Sequence, residues 1–277
     1  MSKGLLDPKV DFVFKNIFGS PNHPEILISF LNATLKAKKK IVNVDIKKTD
    51  IEKQYIEDKY SRLDVKATTS NDEIINIEIQ LKNENNMVKR SLYYLSKMYE
   101  EQLNEKEDYS KLVRTVCINI LNFKYLKTDN FHTGYRFKEI ESNEELTDIM
   151  EVHFIEIPKL QDSSDEKDML VAWTEFLKDP ESEKVRGLEL SIEEIRQAKD
   201  ELIRMSNDST QRELYDMRAN SLRDKMSELN AAERKGIEKG REEGREEGRK
   251  EGIEEGRKEE KIEIARNMKL SGLDTNT

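Results

Sequence analysis

The sequence predicts an α/β fold in which a sheet begins as a meander and gains further strands through a crossover helix. Three observations predict it. Two short alternating segments within residues 60–81 flank a polar turn, as expected for a β-hairpin. Residues 112–123 form an almost continuous apolar run, which is typical of a strand buried on both faces. Residues 87–104, which lie between them, have the apolar spacing of a helix.

Two helices and a strand are predicted before the hairpin. Residues 5–19 are expected to form a short helix that Asp7 caps and Gly19 ends. Residues 24–36 form a second, strongly apolar helix, and residues 41–56 alternate as a strand does. The chain therefore enters the hairpin from a strand.

A strand and then helices are predicted after the buried run at residues 112–123. Residues 150–157 indicate another strand, and residues 165–178 an amphipathic helix that Asp179 and Pro180 break. A capping-box pattern that begins at Ser191 opens a long helical region. We therefore expect the later part of the chain to be helical.

Glycine recurs every four residues in a segment rich in Glu, Lys and Arg. The six glycines are Gly236, Gly240, Gly244, Gly248, Gly252 and Gly256. Each glycine inside a helix costs about 1 kcal/mol relative to alanine. Two interpretations stay open: a bare stripe through which another helix approaches closely, giving self-association, and a charged spacer.

Composition predicts three regions: residues 1–160 as the α/β domain, residues 161–232 as a helical region, and residues 233–277 as the charged glycine-repeat helix and tail. The net charge is −9, yet residues 1–130 carry 22 basic and 19 acidic residues. The overall acidity therefore does not argue against a nucleic-acid partner for the first half of the chain.

Several classes of protein are excluded by the cysteine, histidine and apolar content. The single cysteine, Cys117, rules out an intramolecular disulfide framework, and its apolar surroundings predict a buried thiol. His23, His132 and His153 lack the spacing of a zinc site. No apolar stretch is long enough to span a membrane and the N-terminus lacks a signal-peptide core, so we expect a soluble, cytoplasmic protein with no membrane partner.

The polar face of the hairpin carries candidate functional residues. Asp64 and Lys66 share one face of the first strand, and Glu78 and Gln80 share one face of the second. If the strands pair, two carboxylates, a lysine and a glutamine converge, a set that can hold a hard divalent cation and orient a water. The alternative is an ordinary solvated face, because acidic residues are common on half-exposed hairpins.

An ordered set of motifs resembles a known family. The motifs are D-F-V-F-K at residues 11–15, R-L-D-V-K at 62–66, N-I-E-I-Q at 76–80 and R-S-L-Y-Y at 90–94. The set resembles the recombination-promoting nucleases, also described as PD-(D/E)XK nuclease family transposases. The resemblance covers about residues 5–160, and the glycine repeat is similar in style.

This resemblance implies a restriction-endonuclease-like core, a mixed central sheet flanked by helices, and Mg²⁺-dependent cleavage of DNA, with Mn²⁺ as an alternative metal. It implies that Asp64 and Glu78 bind the metal. Gln80 stands where the wider superfamily keeps a lysine. Asp11 is the candidate for the helix-borne acid of the superfamily, although an acid favoured by the helix dipole is the other interpretation.

The uncharged Gln80 can orient a water by hydrogen bonds. Lys66, on the same face as Asp64, could provide the positive charge that a lysine at position 80 would have given. Arg90 is expected to contact the DNA backbone or to form a structural ion pair. The expected catalytic set is Asp64, Glu78, Gln80, Lys66 and Asp11.

The function expected from the sequence is a Mg²⁺-dependent DNA endonuclease linked to recombination or transposition, which forms a homo-oligomer through its C-terminal helices. The alternative is a catalytically inactive nuclease fold that binds DNA or assembles as an interaction protein. An active enzyme requires the carboxylates of Asp64 and Glu78 to converge on one cation.

Overall fold

A six-stranded mixed sheet organises the fold. The structure is a computed structural model, and it describes residues 4–36, 39–47, 65–165 and 167–271. The strands lie in the order β1-β2-β3-β4-β6-β5. Their bounds are β1 Val44–Lys47, β2 Val65–Thr69, β3 Ile74–Gln80, β4 Thr115–Leu121, β5 His132–Lys138 and β6 Glu145–Glu156.

Helices flank this sheet and continue after it. They are α1 Asp11–Phe18, α2 Pro24–Leu35, α3 Met87–Glu100, α4 Met169–Lys178, α5 Glu183–Ser191, α6 Glu193–Asn207 and α7 Ser209–Leu270. The predicted α/β class, with a mixed central sheet, flanking helices and a helical C-terminal region, is confirmed. In the described part of the chain, no helix is both long enough and apolar enough to cross a membrane.

The pairing of the strands follows the predicted meander and crossover. Strands β1, β2 and β3 are antiparallel neighbours. The chain then crosses through α3 to β4, which runs parallel to β3 and to β6. Strand β5 closes the far edge as an antiparallel partner of β6. The first half of the sheet is therefore a meander, and the second half is built by crossover.

Helix α3 covers one face of the sheet. Its Met87 and Leu95 pack against Cys117, Leu121 and Phe154 in one apolar cluster. The Cys117 thiol is fully buried, as the sequence predicts, and this burial raises its pKa to about 12. Such a thiol is an inert part of the core.

Aromatic side chains from α1, α2 and α4 form a second cluster. Phe18 stacks on Phe14 with 4.6 Å between ring centroids, and it contacts Phe30 and Trp173 edge-on at 5.4 and 5.3 Å. All four rings are buried. Helices that are more than 130 residues apart in sequence therefore share one core.

The N-terminal segment is held by helices from far along the chain. The Leu6 N–H donates to Ser206 Oγ at 3.0 Å, at the end of α6. The Lys9 ammonium donates to the carbonyl of Leu177 at 3.0 Å, in the last turn of α4. The start of the chain is thus built into the same unit as residues near position 200.

The chain forms two compact units, Met1–Ala219 and Asn220–Thr277. Helices α4 to α6 belong to the same unit as the sheet. The division into regions 1–160, 161–232 and 233–277 describes changes of composition and stays a prediction.

Two helix starts differ from the prediction. Helix α1 begins at Asp11, because Asp7 forms a turn instead of a cap: its Oδ1 accepts the Lys9 N–H at 2.9 Å and its carbonyl accepts the Val10 N–H at 3.1 Å. The predicted capping box at Ser191 is wrong. Ser191 is the last residue of α5, and its hydroxyl donates to a carbonyl in that helix, so α6 begins without a side-chain cap.

Two elements were not predicted from the sequence. Helix α5 begins at Glu183 and is capped by Ser182, whose hydroxyl accepts the Val185 N–H at 3.3 Å. Strand β5 lies at the sheet edge and is largely exposed, so it lacks the apolar alternation that marks a half-buried strand. Of the predicted strand 41–56, residues 44–47 are observed as β1 and residues 41–43 are not part of a strand, while residues 48–64 lie outside the described residues.

Candidate functional site

The polar face of β3 is the centre of the candidate site. Asn76, Glu78 and Gln80 alternate with apolar residues and therefore share one face of the strand. Lys66 pairs with Asn76 across the antiparallel β2–β3 ladder, so it lies on the same face. The structure thus brings together three of the residues predicted for the site: Lys66, Glu78 and Gln80.

Asp64 lies outside the described residues. In the sequence it precedes Val65, the first residue of β2, and Val65 pairs with Ile77, the residue before Glu78. The role predicted for Asp64 stays a prediction.

The carboxylate of Glu78 is buried beneath α3, with 1% of its side chain exposed. The alternative interpretation, a solvated face, is therefore wrong at Glu78 and at the fully buried Asn76. Burial raises the pKa of Glu78, and the charge of Arg90 opposes that effect. The Arg90 Nε–H donates to Glu78 Oε2 at 3.2 Å, so α3 provides a cationic partner for a carboxylate on β3.

The second oxygen of the same carboxylate, Glu78 Oε1, is buried and accepts no hydrogen bond from the described residues. Buried polar atoms without a partner are rare, and a bound water or ion commonly satisfies such an atom. A carboxylate oxygen is also the type of ligand that Mg²⁺ and Mn²⁺ prefer. Glu78 therefore fits the role of metal ligand that the sequence assigns to it.

Among the residues that the structure covers, no group of three or more His, Cys, Asp or Glu side chains is arranged to hold a metal ion. Asp64, the second expected ligand, is not among those residues. The described part of the site thus contains one candidate ligand, Glu78, and the polar side chains around it.

Helix α3 is fixed over the site by polar contacts as well as apolar ones. The Ser91 hydroxyl lies 2.8 Å from Asn119 Oδ1 on β4, and Asn119 in turn donates to the carbonyl of His153 at 3.0 Å. The Arg90 guanidinium lies over the ring of buried Tyr94, 5.3 Å from its centroid. Asn119 was not predicted to be part of the site.

Lys66 provides a positive charge on the site face. Its Nζ lies 4.0 Å from Glu101 Oε2. Partial burial lowers the pKa of Lys66, while Glu101 acts in the opposite direction. Gln80 is half-buried, and its backbone carbonyl accepts the Asn122 N–H at 2.9 Å. Gln80 lies two residues after Glu78 on β3, and Lys66 on β2 lies opposite Asn76, two residues before Glu78. The two side chains are therefore on either side of Glu78 on the same face of the sheet.

Asp11 is engaged elsewhere. Its Oδ1 accepts the N–H of Phe12 at 2.7 Å, and its Oδ2 lies 3.7 Å from Arg218 Nη1 at the beginning of α7. No contact within the described residues joins Asp11 to Glu78. The interpretation of Asp11 as an acid at a helix start fits these contacts, and its catalytic role stays a prediction.

A second polar cluster lies on β5, on β6 and just before β4, and it was not predicted. The buried Glu151 carboxylate contacts Arg114 and accepts from His153 Nε2 at 2.7 Å. His153 Nδ1 lies 2.9 Å from His132 Nε2. The two imidazoles are nearly coplanar and meet edge to edge through this bond. His132 and His153 become neighbours only through the β5–β6 pairing, which sequence spacing does not reveal.

Comparison with known proteins identifies a family. A family model described as PD-(D/E)XK nuclease family transposase matches residues 8–232. That range begins just before α1 and extends into α7, so it includes the whole sheet and α3. No curated protein and no solved structure matches the chain significantly.

Proposed function

The chain belongs to the PD-(D/E)XK nuclease family transposases, and from that premise we propose that it is a metal-dependent DNA endonuclease which hydrolyses phosphodiester bonds. Membership of the family supports a nuclease- or transposase-related role. One observation in this chain carries the proposal further. Glu78, the residue expected to bind the metal, is a buried carboxylate with one oxygen held by Arg90 and the other without a partner among the described residues.

In this proposal Asp64 and Glu78 hold a Mg²⁺ ion, and Mn²⁺ is the alternative metal. When bound, such an ion polarises the scissile phosphate and lowers the pKa of a coordinated water. Glu78 suits this task because its carboxylate is shielded from solvent. Electrostatic interactions are stronger in such a buried environment than in water. Asp64 suits it because it directly precedes the strand that pairs with β3.

Lys66 and Gln80 have separate tasks in the proposal. The Lys66 ammonium stabilises negative charge that develops on the phosphate oxygens, since it lies on the face that carries Glu78. The Gln80 amide orients the attacking water through hydrogen bonds, as it has both donor and acceptor atoms. Asp11 is retained as a more distant candidate acid.

DNA is the proposed partner, with a role in recombination or transposition. Contacts to phosphate dominate the affinity of most DNA-binding proteins, so binding is expected to weaken as salt increases. We extend the proposal to a homo-oligomer that forms through the C-terminal helices, because two copies could address the two strands of a duplex. The glycine repeat within α7 supports this extension, since small residues permit close approach of a second helix.

Cleavage of supercoiled plasmid by the full chain tests the proposal. Wild type is expected to nick the plasmid with Mg²⁺ and to stop when EDTA is added. Asp64→Ala and Glu78→Gln are each expected to abolish nicking. Asp72→Asn is the matched control, because Asp72 is an exposed acid in the β2–β3 turn, where asparagine tolerates the same backbone conformation (φ 61°).

The outcomes separate the two functions that the sequence left open. Folded wild type that binds DNA but does not cut it, with either metal, would favour the catalytically inactive binding protein. Nicking that survives both Asp64→Ala and Glu78→Gln would reject this site.

A further inference from the structure

We propose that Arg90 is a positioning residue, which fixes one oxygen of Glu78 so that the other oxygen is presented to the metal. The inference rests on the proposed function, because it assigns the residue that organises the metal ligand of that same site. It replaces the expectation that Arg90 contacts the DNA backbone.

The geometry of the ion pair carries this inference. The Nε–H of Arg90 bonds to Glu78 Oε2 at 3.2 Å, and Oε1 has no hydrogen-bond partner in the part of the chain that the structure describes. A carboxylate that is held at one oxygen cannot rotate freely about its terminal bond. The position of Oε1 is therefore set by Arg90. Ligating carboxylates are commonly oriented by such outer hydrogen bonds, and their loss weakens metal binding roughly 10- to 100-fold.

The guanidinium is itself held in place. Its carbon lies 5.3 Å from the centroid of the Tyr94 ring, in a cation–π arrangement. Tyr94 is buried one helical turn after Arg90 and belongs to the same helix face. The contact between Ser91 and Asn119 ties this part of α3 to β4. Arg90 thus approaches Glu78 from a fixed helix and not from a mobile loop.

Burial also argues against a primary contact with DNA. Only 22% of the Arg90 side chain is exposed, and its partner Glu78 is almost fully buried. An arginine that leaves this pair to reach a phosphate would leave an unpaired carboxylate in a low-dielectric environment, which is costly. The neighbouring Lys89 is exposed on α3 and has no such partner within the described residues, so it provides a matched charge outside the ion pair.

Binding of Mn²⁺ to the full chain without DNA, measured by titration calorimetry, tests the inference apart from activity. Arg90→Gln is expected to weaken Mn²⁺ binding roughly 10- to 100-fold. Lys89→Gln is the matched control: it removes the same charge one residue earlier and is expected to leave the affinity unchanged. Arg90→Lys keeps the charge but loses the planar donor, so it is expected to recover only part of the affinity.

A second variant keeps the test valid if Arg90→Gln does not fold. Tyr94→Leu leaves Arg90 and Glu78 intact and removes the ring under the guanidinium. It is expected to weaken Mn²⁺ binding by less than Arg90→Gln does. Tyr94→Phe keeps the ring and is expected to weaken binding by less than Tyr94→Leu does.

Two results would overturn the role of Arg90 alone. One is wild-type Mn²⁺ affinity in Arg90→Gln combined with weaker DNA binding in EDTA, which would make Arg90 a phosphate contact. The other is full recovery of affinity in Arg90→Lys, which would assign the effect to charge and not to geometry. Two other results would overturn the proposed metal site together with this inference. Either the wild type binds no Mn²⁺, or Glu78→Gln binds Mn²⁺ as tightly as the wild type does.

Discussion

Replacing Glu151 by glutamine is expected to lower the free energy of unfolding by about 3 kcal/mol at pH 7. Glu151 lies on β6 with 4% of its side chain exposed. Its carboxylate contacts Arg114, accepts from Arg136 Nε at 3.0 Å and accepts from His153 Nε2 at 2.7 Å. Glutamine keeps the size of the side chain and removes the charge, so it tests the network and not the packing.

The magnitude follows from the pKa of this carboxyl. Burial alone would raise the pKa, but hydrogen bonds from His153, Arg114 and Arg136 lower it from 4.5 to about 2. At about 1.4 kcal/mol per pH unit, the difference corresponds to about 3 kcal/mol. Because the folded-state pKa is depressed, this stability is fully present above pH 4.5 and is lost as the pH falls toward 2. At pH 3 about 1 kcal/mol remains.

Urea denaturation at pH 7 and at pH 3 measures the effect. The fluorescence of Trp173, the single tryptophan of the chain, reports on the unit that contains Glu151, because this residue is buried in α4. Glu145→Gln is the matched control, since Glu145 also pairs with Arg136 at 3.0 Å but is 44% exposed. A surface ion pair of this kind contributes less than about 1 kcal/mol.

The reasoning predicts both a size and a pH dependence. It would be refuted by equal losses in Glu151→Gln and Glu145→Gln. It would also be refuted if the loss in Glu151→Gln were as large at pH 3 as at pH 7.

Two further predictions concern the site and the repeat. Lys66→Ala is expected to lower the rate of plasmid nicking far more than Lys82→Ala, which removes a charge just after β3; equal effects would remove Lys66 from the site. Gly244→Ala and Gly248→Ala are each expected to stabilise α7 by about 1 kcal/mol, seen as a higher melting temperature in far-UV circular dichroism, because a Cβ at either position meets no atom within 4 Å in the described structure. A double variant that combines Gly244→Ala and Gly248→Ala distinguishes the two interpretations of the repeat. If the glycine stripe packs two copies together, this variant loses self-association in analytical ultracentrifugation, whereas retained association would support the spacer interpretation.

The hairpin and the central strand could be predicted because side-chain alternation is a direct result of strand geometry. Val65 and Ile77 fall on one face and Lys66 and Asn76 on the other, as the pattern requires. The apolar run around Cys117 is a strand with a parallel neighbour on each side. In these elements, local sequence and tertiary environment agree.

Strand β5 and the polar cluster around Glu151 could not be predicted in the same way. The side chains of β5 are mostly exposed, so burial leaves no periodic pattern in its sequence. The contacts of His132 with His153 exist only after β5 pairs with β6. Such features depend on long-range pairing, which spacing along the chain does not encode.

The candidate site was predicted in part. The sequence placed Lys66, Glu78 and Gln80 on one face, and the structure agrees. The burial of Glu78 was not foreseen, because it depends on where the crossover helix α3 lies. The metal-binding role of Asp64 stays a prediction, since that residue is outside the described part of the chain.

The bonds that tie the N-terminal segment to α4 and α6 also set the order in which the fold is completed during translation. Leu6 is made 200 residues before its partner Ser206. At roughly 5–20 residues per second, this interval lasts on the order of 10–40 s. Until residue 173 is made, the nascent α1 lacks Trp173, so the aromatic core closes only after synthesis has passed the sheet.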